Sequence, residues 1–167
     1  MPLIMLALGV GAASTIRVSH QYGFGDYVAM RKAGFAAVHL SVALMSVSGI
    51  AYILLRNYIP IIYTEDILVR ELAAKLLIIA ALFQIFDAMQ LSGLAALRAL
   101  ADVKIPLILS IISYYFVCLP LGYFCGIVLG LGAIGVWIGL LLGLVFTAVL
   151  FLWRFNKISN KIISANS

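Results

Sequence analysis

The chain has 167 residues, of which 65% are hydrophobic and only 10% are charged, and its mean hydropathy is +1.19. This composition excludes a water-soluble domain of ordinary type and indicates a membrane protein. The formal net charge of +5 does not require a nucleic-acid partner, because Lys and Arg at the ends of membrane helices face anionic lipid. We therefore expect contact with membrane lipid and none with nucleic acid.

Five apolar runs, separated by short polar clusters, follow one another along the sequence. The last four are close to the roughly 20 residues that a helix needs to cross about 30 Å of hydrocarbon. The first is shorter and starts at Met1, so we expect part of this helix, and more chain before it, to be missing. The fold class predicted is all-α, a polytopic membrane helix bundle with five transmembrane helices. The predicted spans are 1–16, 33–55, 71–97, 105–126 and 132–153, followed by a tail at 154–167.

Residue types that start helices lie in the loops between these spans. Asp26 can cap a short amphipathic segment at the membrane interface before the second span, and Thr64 is the predicted N-cap of the third helix. Pro106 occupies the first turn of the fourth helix, where its missing N–H group costs nothing. The second, third and fourth predicted spans therefore have recognisable starts in the sequence.

Asp87 lies deep in the third span. It is about 16 residues from one end and about 10 from the other, which is too far for a short carboxylate to reach either interface. An acid at the bilayer centre costs roughly 2.5–3.5 kcal/mol on insertion scales, so this side chain must face protein or water. Gln84 and Gln90, three residues before and after it, share a face about 120° wide. The surrounding residues are apolar, which suits a group that alternately binds and releases a proton or a small cation.

The residues alone leave two interpretations of Asp87 open. The first is that it handles a proton, a cation or a substrate. The second is that it makes a hydrogen-bonded contact between helices, for example with Ser113, Tyr114 or Tyr115 of the next helix. Both interpretations place the carboxyl group inside the bundle and away from lipid.

The last two spans contain a proline and regularly spaced glycines. Pro120 removes a backbone hydrogen bond and crowds the preceding turn, which predicts a kink in the fourth helix. Glycines recur every four residues in both helices, and such faces let helix backbones approach closely where lipid gives no hydrophobic drive for association. The glycines are Gly122, Gly126 and Gly130 in one series, and Gly135, Gly139 and Gly143 in the other.

The basic residues are distributed unequally between the two sides of the predicted membrane. Eight of the 11 fall on one side and three on the other. The positive-inside rule makes the first side cytoplasmic, so we expect the start of the chain outside and the C-terminal tail inside a plasma membrane. The eight are Arg17, Arg31, Lys32, Arg98, Lys104, Arg154, Lys157 and Lys161.

The sequence lacks motifs of enzyme chemistry. It has no second intramembrane acid to pair with Asp87, no nucleotide-binding GxxxxGK[ST] loop, no zinc-spaced Cys and His set and no arrangement of Ser, His and Asp on one surface. We therefore expect neither an enzyme, nor a metal site, nor an ATP-driven pump.

Four stretches of the sequence resemble the multidrug and toxic-compound extrusion (MATE) transporters. The stretch "FQIFDAMQLSGLAALRALADVKIP" (83–106), together with "YYFVCLPLGYFCG" (114–126) and "LGAIGVWIGLLLGL" (131–144), is similar to the last helices of that family. The stretch "ALGVGAASTIRVSHQYGFGDYVAMRKAG" (7–34) is similar to the second helix of its C-terminal lobe and the loop after it. The pattern F-Q-x-x-D-A-x-Q, leading to the pair Leu97–Arg98, is the most specific of these features.

The resemblance implies a fold, an activity and a role for the polar residues. The family has two six-helix lobes, and the chain is identified with helices eight to twelve, a partial C-terminal lobe. The resemblance implies bacterial inner-membrane efflux of small cationic or amphipathic molecules in exchange for Na⁺ or H⁺, with no other cofactor. It implies that Asp87 is the cation-coupling acid, that Gln84 and Gln90 line the cavity, and that Tyr114 faces it from the next helix.

Some features of the family are absent, and other functions compete with this one. The family's acid on the seventh helix and its N-terminal lobe are missing, so we expect the chain to be a fragment that needs the missing lobe as its partner and cannot transport alone. A flippase for lipid-linked oligosaccharides from the same superfamily is an alternative, although its cavity would be basic and the centres of these spans have no Lys or Arg. A membrane scaffold that transports nothing is a further alternative.

Overall fold

The computed structural model describes the backbone of residues 2–166 and the side chains of Met5 and of Leu8 to Asn166. The described residues form helices joined by short turns and contain no strand, which confirms the all-α class. The α-helices are α1 Pro2–Gly23, α2 Tyr27–Leu55, α3 Ile59–Tyr63, α4 Ile67–Ala99, α5 Lys104–Ile112, α6 Leu119–Tyr123 and α7 Gly132–Asn166, and two π-helical segments, Ser113–Cys118 and Phe124–Val128, flank α6.

Four stretches of the described chain are long and apolar enough to cross a membrane. They are α2, α4, the continuous helical run Lys104–Val128 and α7. Helix α1 covers the predicted first span from its second residue onward and continues through Arg17 to Gly23; Met1 lies outside the described residues. The chain is thus a multi-pass membrane helix bundle, and a fifth crossing by α1 remains a prediction.

Helices α2 and α4 begin at aspartates. The Oδ1 atom of Asp26 accepts from the backbone N–H of Ala29 at 2.9 Å, and α2 then runs unbroken, so the separate amphipathic segment predicted there is part of the long helix. The N-cap of α4 is Asp66, which accepts from Leu68 N–H at 2.9 Å. Thr64 instead accepts from the N–H of Asp66 at 3.2 Å. The prediction of Thr64 as the cap was wrong because the chain is still extended at Asp66, directly before the helix.

Helix α7 does not end at the membrane-spanning run. It continues to Asn166 through the segment predicted as a tail, because that segment still has a buried face. Phe155 and Ser159 have no exposed surface, and the ring of Phe155 lies against Gly34 of α2. Ser167 lies outside the described residues.

Helix α4 lies at the centre of the bundle and packs against α1, α2 and α7. Its buried positions are mostly small, which lets three neighbours approach it at once without lipid between them. The hydroxyls of Thr15 and Ser19 of α1 donate to the carbonyls of Ala95 and Ala99 at 3.2 and 3.3 Å. The buried α4 residues are Ala81, Ala88, Gln90, Ser92, Gly93, Ala95, Ala96 and Leu97.

The glycine series of the last two helices face each other. A Cβ atom added at Gly139 would overlap the backbone of Gly122, and one added at Gly143 would lie 2.5 Å from the Cβ of Cys118. These clashes show why both positions must be glycine for the two helices to approach so closely. Gly130 departs from the predicted series, because it lies in the turn before α7, has φ +68° and has no neighbouring atom within 4 Å.

The helical run of the fourth predicted span continues past Pro120 but changes its helix type there, and the predicted kink stays a prediction. The segment Ser113–Cys118 directly before it is π-helical, and α geometry resumes with Pro120 in the first turn of α6. A π turn widens the helix and accommodates the backbone carbonyls that a proline leaves without a donor.

The turn after α4 closes with an alanine in the left-handed region. Ala101 has φ +58°, its N–H donates to Arg98 O at 3.0 Å, and the N–H of Asp102 donates to Leu97 O at 3.1 Å. This is a Schellman motif, in which glycine is the usual residue at the left-handed position. The turn places the Oδ2 atom of Asp102 at 2.9 Å from the Nε atom of Arg154 on α7.

Gly139→Ala should destabilise the bundle, because the added methyl group meets the backbone of Gly122 and α6 must move away from α7. Overpacking of this kind typically costs about 1–3 kcal/mol. Thermal unfolding in detergent measures the change. Gly9→Ala is the control, since the structure places no described atom within 4 Å of its added Cβ. Equal melting temperatures for the two variants would contradict the glycine interface.

Ala101→Gly should stabilise the chain, since glycine adopts a positive φ without the steric cost borne by alanine. We expect a gain of about 0.5–1 kcal/mol from the relief of this strain. The same melting experiment, with Ala99→Gly in the last turn of α4 as a comparison, checks it. The comparison variant should lose stability, because glycine weakens an ordinary helical position.

Candidate functional site

Three polar side chains lie along one side of the middle of α4. Gln84, Asp87 and Gln90 are spaced by three residues, so they form a row that turns slowly around the helix. Asp87 and Gln84 are half-buried, and Gln90 is 9% exposed. Helix α4 is capped by Asp66 at its start and by the turn at Ala101 at its end. Asp87 lies near the midpoint of this helix.

Neighbouring helices hold the two glutamines at the ends of this row. The hydroxyl of Ser48 on α2 donates to the Oε1 atom of Gln84 at 3.1 Å. The Nε2 atom of Gln90 donates to the hydroxyl oxygen of Tyr114 at 3.4 Å, so the structure brings together two residues that the sequence assigned to one cavity. The polar row therefore lies where α2, α4 and the first π-helical segment converge.

The carboxylate of Asp87 has no hydrogen-bond partner among the described residues. Of the partners expected from the next helix, Ser113 donates to the carbonyl of Leu109 at 2.7 Å, Tyr114 is bonded to Gln90, and Tyr115 is 65% exposed. The interpretation of Asp87 as a hydrogen-bonded helix contact thus has no partner in this part of the chain. A carboxylate that is half-buried and unpaired is costly in an apolar setting unless a proton or a cation accompanies it.

Gln90 has a further unused acceptor. Its Oε1 atom is buried and has no hydrogen-bond partner among the described residues. This oxygen and the carboxylate of Asp87 lie one helical turn apart on α4. Oxygen ligands of this kind suit hard cations or a proton.

The site has the charge for a monovalent cation. Within the described residues, no group of three or more His, Cys, Asp or Glu side chains could hold a metal ion. One carboxylate supplemented by neutral amide and phenol oxygens offers a single negative charge, which balances one proton or one monovalent cation. The site can therefore neutralise a single positive charge without further acids.

Sequence reasoning missed the serines that join α2 to α4. Besides the bond from Ser48, the hydroxyl of Ser92 donates to that of Ser41 at 2.6 Å in a fully buried position. Gly34, Ser41 and Ser48 recur every seven residues and all three are buried on α2. This spacing of small residues marks a helix-packing face and could have predicted the contact.

Ser41→Ala and Ser92→Ala should each destabilise the contact between α2 and α4, because each leaves the other hydroxyl buried without its partner. A double-mutant cycle in thermal unfolding should give a coupling energy of about 0.6–1.7 kcal/mol, the range of hydrogen bonds between membrane helices. Ser46→Ala is the control, since this hydroxyl bonds only within its own helix, to Val42 O at 2.7 Å. Additive effects of the Ser41 and Ser92 changes would contradict the contact.

The fold and the site define a polytopic helix bundle with an isolated carboxylate in the middle of its central helix. The family model described as MatE matches residues 1–124, which is well over half of the chain. The protein therefore belongs to the MATE family, as the sequence resemblance predicted.

Curated relatives agree with this assignment. The "Multidrug resistance protein NorM" of Burkholderia vietnamiensis is 43% identical over 166 residues, which cover 96% of this chain and 36% of that protein. The "Probable multidrug resistance protein NorM" of Xylella fastidiosa (strain 9a5c) is 36% identical over 160 residues, which cover 96% of this chain and 34% of that protein. The chain thus spans about a third of the length of these relatives.

Solved structures share the fold. An inward-facing multidrug resistance MATE family transporter of the MOP superfamily superposes with a TM-score of 0.89 at 18% identity, over 100% of this chain and 39% of that one. The eukaryotic MATE transporter AtDTX14 superposes with a TM-score of 0.83 at 20% identity, over 99% of this chain and 38% of that one. At these identities the likeness supports the helix arrangement and not the site.

Proposed function

We propose that the chain supplies helices eight to twelve, a part of the C-terminal lobe, of a secondary active multidrug efflux antiporter. The relatives that bear the name multidrug resistance protein support the efflux activity, and their length leaves room for another lobe and a further helix. Alternating access requires two bodies that move relative to each other, so the chain needs the missing lobe as its partner and does not transport alone.

Asp87 is the coupling acid of this proposal. The observation that carries it is a carboxylate near the middle of α4 with no partner among the described residues, one helical turn before Gln90, whose buried Oε1 atom also lacks a partner there. In one state of the transporter the carboxylate binds H⁺ or Na⁺, and in the other it releases the ion and becomes available to a cationic substrate. The same negative charge cannot be neutralised twice, which makes the binding of ion and substrate mutually exclusive.

The neighbours of Asp87 have supporting roles. Gln84, fixed by Ser48, and Gln90, bonded to Tyr114, hold the polar surface that faces the ion and the substrate. No other cofactor is needed, since the coupling ion supplies the driving force. This chemistry breaks no covalent bond, and we propose a transporter and not an enzyme.

The proposed location is a bacterial inner membrane, with the start of the chain outside and the end of α7 in the cytoplasm. The packing of α1, α4 and α7 supports this orientation, because the C-terminal ends of α1 and α4 lie at the same level as Arg154 of α7. Ser19 contacts Ala99 there, and Arg154 pairs with Asp102. The basic residues gathered at this end favour the cytoplasmic side.

Asp87→Asn should abolish ion-driven efflux, because the amide cannot exchange a proton and carries no charge to hold a cation. The test uses a chimaera in which this chain replaces the matching segment of the Burkholderia vietnamiensis relative, after its activity has been verified. Efflux of a fluorescent cation from reconstituted vesicles, driven by a Na⁺ or H⁺ gradient in turn, identifies the ion. We expect a loss of at least about a hundredfold, as for removal of an essential charged group.

Two controls accompany this experiment. Glu65→Gln removes an exposed acid outside the site and should leave efflux unchanged, while Asp87→Glu should retain part of it. Gradient-driven efflux by Asp87→Asn at the level of the unmodified chimaera would remove Asp87 from the mechanism. Efflux by the 167-residue chain alone in the same vesicles would show that the other lobe is not required.

A further inference from the structure

A cleft of about 420 Å³ lies between α1 and α2, beside the turn that joins them. Residues of these two helices alone line it, from Val10 to Gln21 on one side and from Ala29 to Leu40 on the other. Most of the lining is small or aliphatic, and the polar residues Arg17, Gln21 and Lys32 lie near the turn. The whole cleft is about 16 Å long at a rise of 1.5 Å per residue, with its basic residues towards one end and an apolar lining over the rest.

The two cations of the cleft have no acidic partner. Within residues 2–166 the one salt bridge joins Arg154 to Asp102, so Arg17 and Lys32 are unpaired there. The nearest acid along the chain, Asp26, uses its Oδ1 atom to cap α2. The positive charge at the basic end of the cleft is therefore available to a bound anion.

A buried hydroxyl without a partner lies in the same cleft. Ser14 is 4% exposed, its Oγ atom has no hydrogen-bond partner among the described residues, and it lines the cleft one turn before Arg17. The neighbouring hydroxyl of Thr15, by contrast, has two carbonyl acceptors within reach, those of Gly11 at 3.1 Å and Ala95 at 3.2 Å. Because a buried hydroxyl without a partner costs free energy, Ser14 indicates a polar atom of a ligand within the cleft.

We propose that this cleft binds an anionic phospholipid, with the phosphate between Arg17 and Lys32 and an acyl chain along the apolar wall towards Leu40. Basic pockets between membrane helices at the cytoplasmic side bind anionic head groups, and long basic side chains reach the head-group level while their stems lie on apolar surface. A free anion would leave the apolar length unfilled. A protein helix in the same place would need acids at the level of both cations.

Photocrosslinking tests the proposal with the whole chain in lipid nanodiscs. A photoreactive phosphatidylglycerol is compared with phosphatidylcholine carrying the same reactive acyl chain, and the labelled residues are located by mass spectrometry. Labelling by phosphatidylglycerol should concentrate on residues 10–21 and 29–40 and exceed labelling by phosphatidylcholine.

Substitutions separate a specific site from general attraction to a charged membrane. Arg17→Gln and Lys32→Gln should each lower the labelling by phosphatidylglycerol roughly fivefold, the effect expected for one basic residue near anionic lipid. Lys161→Gln, which removes an exposed cation near the end of α7, should leave it unchanged. Ala36→Trp keeps all the charges but fills the cleft at an exposed lining position, and it too should remove the labelling.

Melting temperatures of all the variants establish that they remain folded. Equal labelling by the two lipids would overturn the proposal. So would a loss in Lys161→Gln as large as in Arg17→Gln and Lys32→Gln, or full labelling of Ala36→Trp.

Discussion

The packing of α4 against three neighbours is the constraint on which the rest of the structure depends. In a membrane, helices gain nothing from hiding apolar surface, so they associate through close contact and hydrogen bonds. Alanine, serine and glycine on α4 supply the contact, and Ser92, with the carbonyls of Ala95 and Ala99, supplies the hydrogen bonds. One helix that presents small residues on several sides can therefore hold together a bundle that has no large core.

The polar row of Gln84, Asp87 and Gln90 depends on that packing. Small residues bring α2 close to α4, where Ser48 bonds to Gln84, and the long side chain of Tyr114 reaches Gln90 from the next helix. Asp87 lies between them in the sequence and has no such partner among the described residues. Each glutamine thus has one hydrogen bond to another helix, whereas the carboxylate of Asp87 and the Oε1 atom of Gln90 remain without a partner among the described residues, a distribution suited to reversible binding of a cation.

The sequence predicted the order and type of the helices well, because hydropathy and helix length are properties of local segments. It also predicted that the glycine faces allow close helix approach, since small residues at every fourth position lie on one helix face, but not that the two series face each other. The predictions from sequence were wrong where they depended on the backbone conformation at the end of a helix. Thr64 and Asp66 are both good caps, and only the extended backbone at Asp66 selects between them. Gly130 continued the spacing of its series, yet the helix ends before it and the residue lies in the turn.

Contacts between helices that are distant in the sequence could not be predicted either. The pairing of Gln84 with Ser48 depends on the register of α2 along α4, which no local pattern specifies, and the family match does not test the roles of these side chains. The polar row could be recognised from spacing alone, whereas the absence of a partner for Asp87 required the arrangement of the neighbouring helices.

The π-helical segment Ser113–Cys118 adds a property that straight helices lack. Successive side chains of an α-helix are rotated by about 100° around its axis. A wide turn contains one extra residue, so it changes the direction of the side chains that follow it. The glycine contacts with α7 reach Cys118 at the end of this segment, whereas Tyr114 lies near its start and is 40% exposed. The wide turn therefore sets the direction in which the phenol leaves the helix towards Gln90.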